Sequence, residues 1–273
     1  MASLVRGIRW NLQIRRRVST TSSVLVAGFV WCFILSVLVP FRVGEGARLL
    51  WLRRYDVPFQ FSLGVTIMER LVDLTTLLAL GCLAMFFLPI IPVPLAIAAT
   101  LGTMALFFGI LILTLRGKPP STLGGRIAVR RPFAHKLKQW LTQQRHLLSD
   151  GISTIRSKST ATAMITLSLM AWLILAFGNV LYLRAFDPTL PWSAGVAVML
   201  ATNLSSVVNI SPGNLGVYHV AAIAVLAFVG MDGSEALVAA TGMHAAILFG
   251  FLCAALLAKI FLTRHGQNLW EPV

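Results

Sequence analysis

The sequence predicts an all-α polytopic integral membrane protein of about 6–8 membrane helices, with one or two re-entrant hairpins and an inverted repeat. Three observations lead there: the composition, the placement of the basic residues, and two interrupted apolar runs of similar design. Of 273 residues, 57% are hydrophobic and 12% are charged, whereas a soluble domain is about a quarter charged. The mean hydropathy is +0.82. This excludes an ordinary soluble protein, and the length leaves no room for a sizeable soluble catalytic domain beside the membrane part. Cys32, Cys82 and Cys253 lie in apolar runs at unrelated spacings. They read as packing residues, so neither a disulfide framework nor a metal site nor any other cofactor is expected.

The net charge of +14 sets orientation through its distribution. Arg6, Arg9, Arg15, Arg16 and Arg17 precede the first apolar run, and ten Lys or Arg fall between Arg116 and Lys158. Basic loops stay cytoplasmic. Val24 to Val39 is a 16-residue apolar run that stops at Pro40, short of the about 20 residues a spanning helix needs. No A-x-A-like cleavage site follows, so it reads as a retained segment and not as a signal peptide. Phe41 to Tyr55 carries Arg42, Glu45, Arg48, Arg53 and Arg54, too polar to face lipid. A single crossing over Val24 to Tyr55 would place the later basic stretch outside. A re-entrant hairpin with its elbow at Pro40 keeps it inside.

Leu71 to Leu115 holds one charge, Asp73, and Pro89, Pro92 and Pro94 divide it into two helices joined by a non-cytoplasmic turn. In Arg130 to Arg156, Phe133, Leu137, Trp140, Leu141, Leu148, Ile152 and Ile155 recur at three- and four-residue steps among Lys136, Lys138 and Arg145. That is the pattern of a basic amphipathic helix on an anionic inner leaflet. No aromatic-basic platform or zinc spacing accompanies it, so nucleic acid is not an expected partner. Ser159 to Leu183 is an uncharged span, and Arg184 to Pro191 is a turn. Pro188 to Met231 has no Asp, Glu, Lys or Arg but is broken at Ser211-Pro212-Gly213. After the Gly230–Gly233 turn, Ala236 to Ala258 forms the last span, ending near Lys259 and Arg264. Both termini are then cytoplasmic, in a multi-pass protein of the plasma (inner) membrane. Residues 1–273 read as one membrane domain. Its parts are a first repeat over 1–90, connecting spans over 91–185 with the cytoplasmic basic segment 116–158, and a second repeat over 186–264.

The repeat is visible in the spacing of its breakers. Pro40 stands four residues before Gly44, and Pro212 four before Gly216, with Gly213 beside it. Each unit continues through a turn into a long helix that carries polar residues: Glu69-Arg70 in the first, His244 in the second. The first unit starts inside and the second outside, the trace of an inverted repeat whose paired interrupted segments put a binding site near the midplane.

The scarce charges in apolar surroundings are the candidate site. Glu69 and Asp73 share a helix face at i and i+4, with Arg70 between them, and each charge would cost roughly 2.5–3.5 kcal/mol at the bilayer centre. They are expected to pair. Arg70 can reach Asp73 at i+3, and Glu69 can take Arg42 or Arg48, each three residues from Glu45. The cluster either staples helix to hairpin or forms a polar cavity whose arginines hold a lipid phosphate in bidentate fashion. His219 and His244 read either as helix-bridging residues or as a lining for the same cavity.

These residues carry a resemblance. Pro40-x-Arg42-x-Gly44-Glu45-x-x-Arg48, then Glu69-Arg70-x-x-Asp73, then Pro212-Gly213-x-x-Gly216 resemble the signature of the flippase-like membrane domain, the transmembrane region of lysylphosphatidylglycerol synthases. The resemblance runs from about Arg9-Trp10 to the last span. It implies a polytopic helical domain that moves, or takes part in making, anionic or polyprenyl-linked lipids. The chain resembles a free-standing short member, and where the family commonly has Glu and Arg in the second half it has His219 and His244. With the soluble transferase domain absent, aminoacylation by this chain is not expected.

The expected function is therefore lipid handling, by translocation of an anionic, aminoacylated or polyprenyl-linked lipid between leaflets. Arg42, Glu45, Arg48, Glu69, Arg70, Asp73, His219 and His244 would line the polar path, and Pro40, Gly44, Pro212, Gly213 and Gly216 would form its elbows. Two alternatives stay open: a membrane enzyme or accessory subunit of envelope glycolipid synthesis, with Glu69 and Asp73 binding Mg²⁺ and a pyrophosphate, and a scaffold for a separate synthase or glycosyltransferase. For the topology, single cysteines at Ser157 and Gly233 are expected to react with a membrane-impermeant thiol reagent from opposite sides. Labelling from the same side overturns the inverted arrangement.

Overall fold

In hydrocarbon a backbone must satisfy its own polar groups, which leaves a chain of this composition little choice but helix. A computed structural model describes residues 1–39, 43–85, 143, 146–147, 149–155, 157–206 and 211–267, and no strand occurs among them. The principal α-helices are α1 (Ala2–Ile14), α2 (Ser22–Leu38), α3 (Val43–Leu52), α4 (Phe59–Met85), α5 (Lys158–Phe186), α6 (Trp192–Ser205), α7 (Val217–Phe228) and α8 (Gly233–Arg264), with short 3-10 turns between some of them. The elbow residues Pro40 and Arg42, the Pro89–Pro94 turn and most of the basic amphipathic segment lie outside the described residues.

Helix length separates two kinds of element. α5 and α8, at 29 and 32 residues with mean hydropathies of 2.0 and 2.4, are long and apolar enough to cross a membrane. α4, at 27 residues, is long enough but carries the charged triplet. α2, α6 and α7 have 17, 14 and 12 residues. At 1.5 Å per residue they span about 26, 21 and 18 Å, short of a hydrocarbon core of about 30 Å. α2 packs on α3 and α6 packs on α7, so the order of a short packed pair followed by a long helix occurs twice, in α2–α3–α4 and α6–α7–α8. The two sets interlock: α2 lies against α8 and against the 3-10 turn Pro212–Asn214.

The helix ends follow ordinary chemistry. Ser157 caps α5 by accepting from Thr160 N at 3.1 Å, and Asp232 caps α8 by accepting from Ser234 N at 3.1 Å. The Ser234 hydroxyl and backbone hold the Asp232 carboxyl below its usual value. Packing uses aromatic residues in one place and small ones in another. Trp10, Phe29, Trp51 and Phe61 fill a cluster with Ala255 and Leu262 of α8. Ala194, Ala222, Ala236, Ala239 and Ala240 bring α6, α7 and α8 together, the small-residue packing that lets membrane helices approach closely.

The N-terminal arginines divide into two groups. Arg6 and Arg9 are 8% and 1% exposed, inside the protein. α1 packs on α2 and α5 with Arg6, Arg9, Asn11 and Gln13 buried, while Leu4 and Ile8 are 44% and 45% exposed. Its polar face points inward, where Arg9 finds Asp73 and Glu69. Arg15, Arg16 and Arg17, beyond the end of the helix, are exposed.

Gly44 sets the closeness of the α2–α3 pair. A Cβ there would fall on the backbone of Cys32 and Ser36 and lie 2.7 Å from the carbonyl carbon of Leu35. Gly46, two residues on, has open space. Gly44→Val is therefore expected to lower thermal stability in detergent by the equivalent of about 1–3 kcal/mol or more, whereas Gly46→Ala leaves the melting temperature unchanged. Equal behaviour of the two variants counts against this packing.

Candidate functional site

α4 presents Glu69 and Asp73 one turn apart on the same face, 3% and 8% exposed, and three other helices converge on them. From α3, Arg48 Nη1 reaches Glu69 Oε2 at 2.8 Å, and its Nη2 donates to Thr66 Oγ1 at 2.9 Å. Thr66 in turn donates to the Ser62 carbonyl at 3.0 Å. From α1, Arg9 donates from Nη1 to Asp73 Oδ1 and from Nη2 to Asp73 Oδ2 at 3.0 Å, the bidentate fork that guanidinium makes with carboxylate. Arg9 Nη2 also lies 3.6 Å from Glu69 Oε1, and Nη1 donates to Ser168 Oγ on α5. Four helices thus meet through two carboxylates and two arginines.

Arg70 does not pair with Asp73 as its i+3 spacing suggested. Both oxygens of Asp73 are taken by Arg9, and Arg70 instead donates to Glu45 on α3. The expected link of Glu69 to Arg48 is present, while Arg42 lies outside the described residues. Arg9 was hidden from sequence reasoning because it sits in a basic N-terminal stretch. The signal that could have found it is the helical spacing of Arg6, Arg9 and Gln13, which puts three polar residues on one face ahead of an apolar run.

Aromatic rings complete the surroundings. Arg48 lies 5.4 Å from the Trp10 ring centre and 5.1 Å from that of Phe29. Trp172 of α5 donates from Nε1 to Thr76 Oγ1 on α4 at 3.1 Å and lies 4.5 Å from the Arg6 guanidinium. In such low-dielectric surroundings the pairs are strong only because each carboxylate is met in good geometry. Glu69 and Asp73 face arginines, an arrangement suited to holding a cluster together and ill suited to coordinating Mg²⁺. No group of three or more His, Cys, Asp or Glu able to hold a metal occurs among the described residues.

The second half contributes differently. Gly213 and Gly216 adopt positive φ, +61° and +84°, which breaks the chain between α6 and α7 at little cost only because neither has a Cβ. The Gly213 carbonyl accepts from His244 Nε2 of α8 at 2.9 Å, so the proton sits on that nitrogen. His244 stacks on Tyr218 at 4.2 Å, and the His219 ring lies 5.0 Å away. His244 thus fastens the long helix to the broken turn. His219 packs at its side and does not line the cavity described next.

Both halves open on one cavity of about 510 Å³. Arg6, Glu45, Arg70 and Asp73 line it from the first half, and Asn203, Gly213, Asn214, Tyr218 and His244 from the second. Phe33, Leu77, Trp172, Ile247 and Phe251 supply apolar wall. A smaller void of about 20 Å³ lies among the charged side chains, room for about one water. A cavity of this kind can take a charged group and an apolar chain together.

Arg9→Met leaves Asp73 buried without its cation, and Asp73→Asn leaves Arg9 with one carboxylate fewer. Each single change is expected to destabilise the protein by about 3–5 kcal/mol. The double variant is expected to fall well short of the sum, as read from thermal unfolding in detergent. Strict additivity would show that the two residues are not coupled.

No curated protein and no solved structure matches the chain significantly. The family model for the lysylphosphatidylglycerol synthase transmembrane region matches residues 1–255. Two helices long and apolar enough to cross a membrane, in a chain whose described residues form no strand, agree with that match: this protein is a membrane protein belonging to the lysylphosphatidylglycerol synthase transmembrane-region family.

Proposed function

We propose that the protein moves an anionic, aminoacylated or polyprenyl-linked lipid between the leaflets of the inner membrane, with both termini cytoplasmic. The observation that carries this reading is the shared cavity: charged residues of one half and hydrogen-bonding residues of the other face the same space, with apolar wall between them. A head group crossing hydrocarbon loses its water, and fixed polar groups must replace it. The family's role in membrane lipid metabolism agrees with such a ligand.

In this reading α2–α3 and α6–α7 are re-entrant hairpins of inverted orientation whose elbows approach the midplane, as in transporters built from inverted repeats. The short helices and the approach of α2 to the Pro212–Asn214 turn support it. Arg70 is the movable contact. Its side chain is 41% exposed at the cavity and, among the described residues, its ion pair is with Glu45, while Arg9 and Arg48 are locked in place. Membrane lipids are its partners, and a separate synthase or glycosyltransferase would supply or consume them.

Reconstitution into vesicles carrying head-group-labelled phosphatidylglycerol tests the proposal. Wild-type protein is expected to expose inner-leaflet label to an external quencher, and Arg70→Ala to slow that exposure at least tenfold without loss of expression. Unchanged exchange in Arg70→Ala, or none above empty vesicles for the wild type, overturns it.

A further inference from the structure

The buried arginines of the cluster are not equivalent. Arg9 is engaged by Asp73, Glu69 and Ser168, Arg48 by Glu69 and Thr66, and the half-exposed Arg70 by Glu45. Arg6 makes no ion pair among the described residues. It is 8% exposed, and its Nε and Nη2 have no hydrogen-bond partner. These two atoms form one edge of the guanidinium, with parallel N–H bonds at the spacing that grips two oxygens of a carboxylate or phosphate. The rings of Trp172 and Phe33, at 4.5 and 5.5 Å, hold the plane of the group and leave its edge to something else. Arg6 lines both the small void and the large cavity.

Charge and donors narrow the ligand. Among the described residues the cluster sets Arg6, Arg9, Arg48 and Arg70 against Glu45, Glu69 and Asp73, one positive charge in excess. A singly charged anion neutralises it, and a doubly charged one would leave a negative charge in a low-dielectric site. Asn214 Oδ1 and the Tyr218 hydroxyl, on the other half's side of the cavity, are also buried without partners. An amide oxygen needs a donor. A fatty-acid carboxylate has none to offer it, and neither does a trimethylammonium head group.

Resting on the translocation reading, we propose that Arg6 is the phosphate-binding residue of this protein. Its Nε–Nη2 edge holds a phosphodiester of a membrane phospholipid, and Asn214 and Tyr218 receive a hydroxyl or ammonium donor on that lipid's head group. Arg6, in place of the arginines of the charged motifs, makes the contact that discriminates lipids.

Native mass spectrometry and thermal stability of the full chain in detergent test this with dioleoyl lipids. Phosphatidylglycerol is expected to be retained and to raise the melting temperature. Diacylglycerol of the same chains is not, and phosphatidylcholine and phosphatidic acid bind at least tenfold more weakly. Sodium phosphate or glycerol phosphate at equal concentration has no effect. Arg6→Gln is expected to reduce phosphatidylglycerol retention at least tenfold, with Arg6→Lys recovering only part, because a point charge lacks the fork. Asn214→Ala is expected to erase the preference over phosphatidylcholine. The proposal is overturned by wild-type retention in Arg6→Gln, by diacylglycerol or free phosphate matching phosphatidylglycerol, or by tighter phosphatidic acid binding. Should Arg6→Gln fail to fold, the wild-type lipid series decides alone. Binding that depends on Arg6 without any lipid exchange in vesicles sinks the translocation reading and leaves this site standing. Exchange without such binding does the reverse.

Discussion

The fork between Arg9 and Asp73 ties the first helix to the fourth, and through Ser168 to the fifth, at the place where lipid-facing packing alone gives the least guidance. Helices in a bilayer gain nothing from hiding apolar surface from lipid, so their arrangement rests on close packing and on polar contacts that have no alternative partner. Two carboxylates one turn apart on α4 supply such contacts. Arg9 and Arg48 answer them from different helices, and the hydroxyls of Ser168 and Thr66 each accept one further hydrogen bond from them. The cavity exists because this knot holds α1, α3, α4 and α5 around one point while α6, α7 and α8 pack on each other through alanines.

The two halves solve the same geometric problem with different chemistry. In the first, a helical pair is drawn together by the absence of a side chain at Gly44, and its charged residues are cross-linked to the long helix that follows. In the second, no charges are used. A glycine-broken turn offers a carbonyl to His244, and the stacked ring of Tyr218 and the edge-on ring of His219 fix the imidazole. One wall of the cavity is therefore charged, the other neutral and hydrogen-bonding.

Much of this was legible in the residues. The apolar runs gave α2, α5 and α8 within a few residues, because uncharged length is a direct physical requirement of crossing or entering a membrane. Glu45, Arg48, Glu69, Arg70 and Asp73 were recognisable as a group that must pair because charge without water demands partners. Which partner each would take was not, since i+3 spacing allows Arg70 to reach Asp73 and only the approach of α1 removes that option. Arg6 and Arg9 escaped notice for a related reason. A basic residue next to a membrane span has two explanations, topology and pairing, and the choice depends on where a remote carboxylate lies.

The inverted polarity of α1 bears on how the chain reaches this state. With Leu4 and Ile8 outward and Arg6 and Arg9 inward, the helix has no settled position until Asp73 and Glu69 have been made, some sixty residues later by the numbering of the chain. Until then its arginines are at home only in water or among head groups. The final position of α1 is therefore set by a segment that follows it in the chain: its arginines find their carboxylates only once α4 is in place.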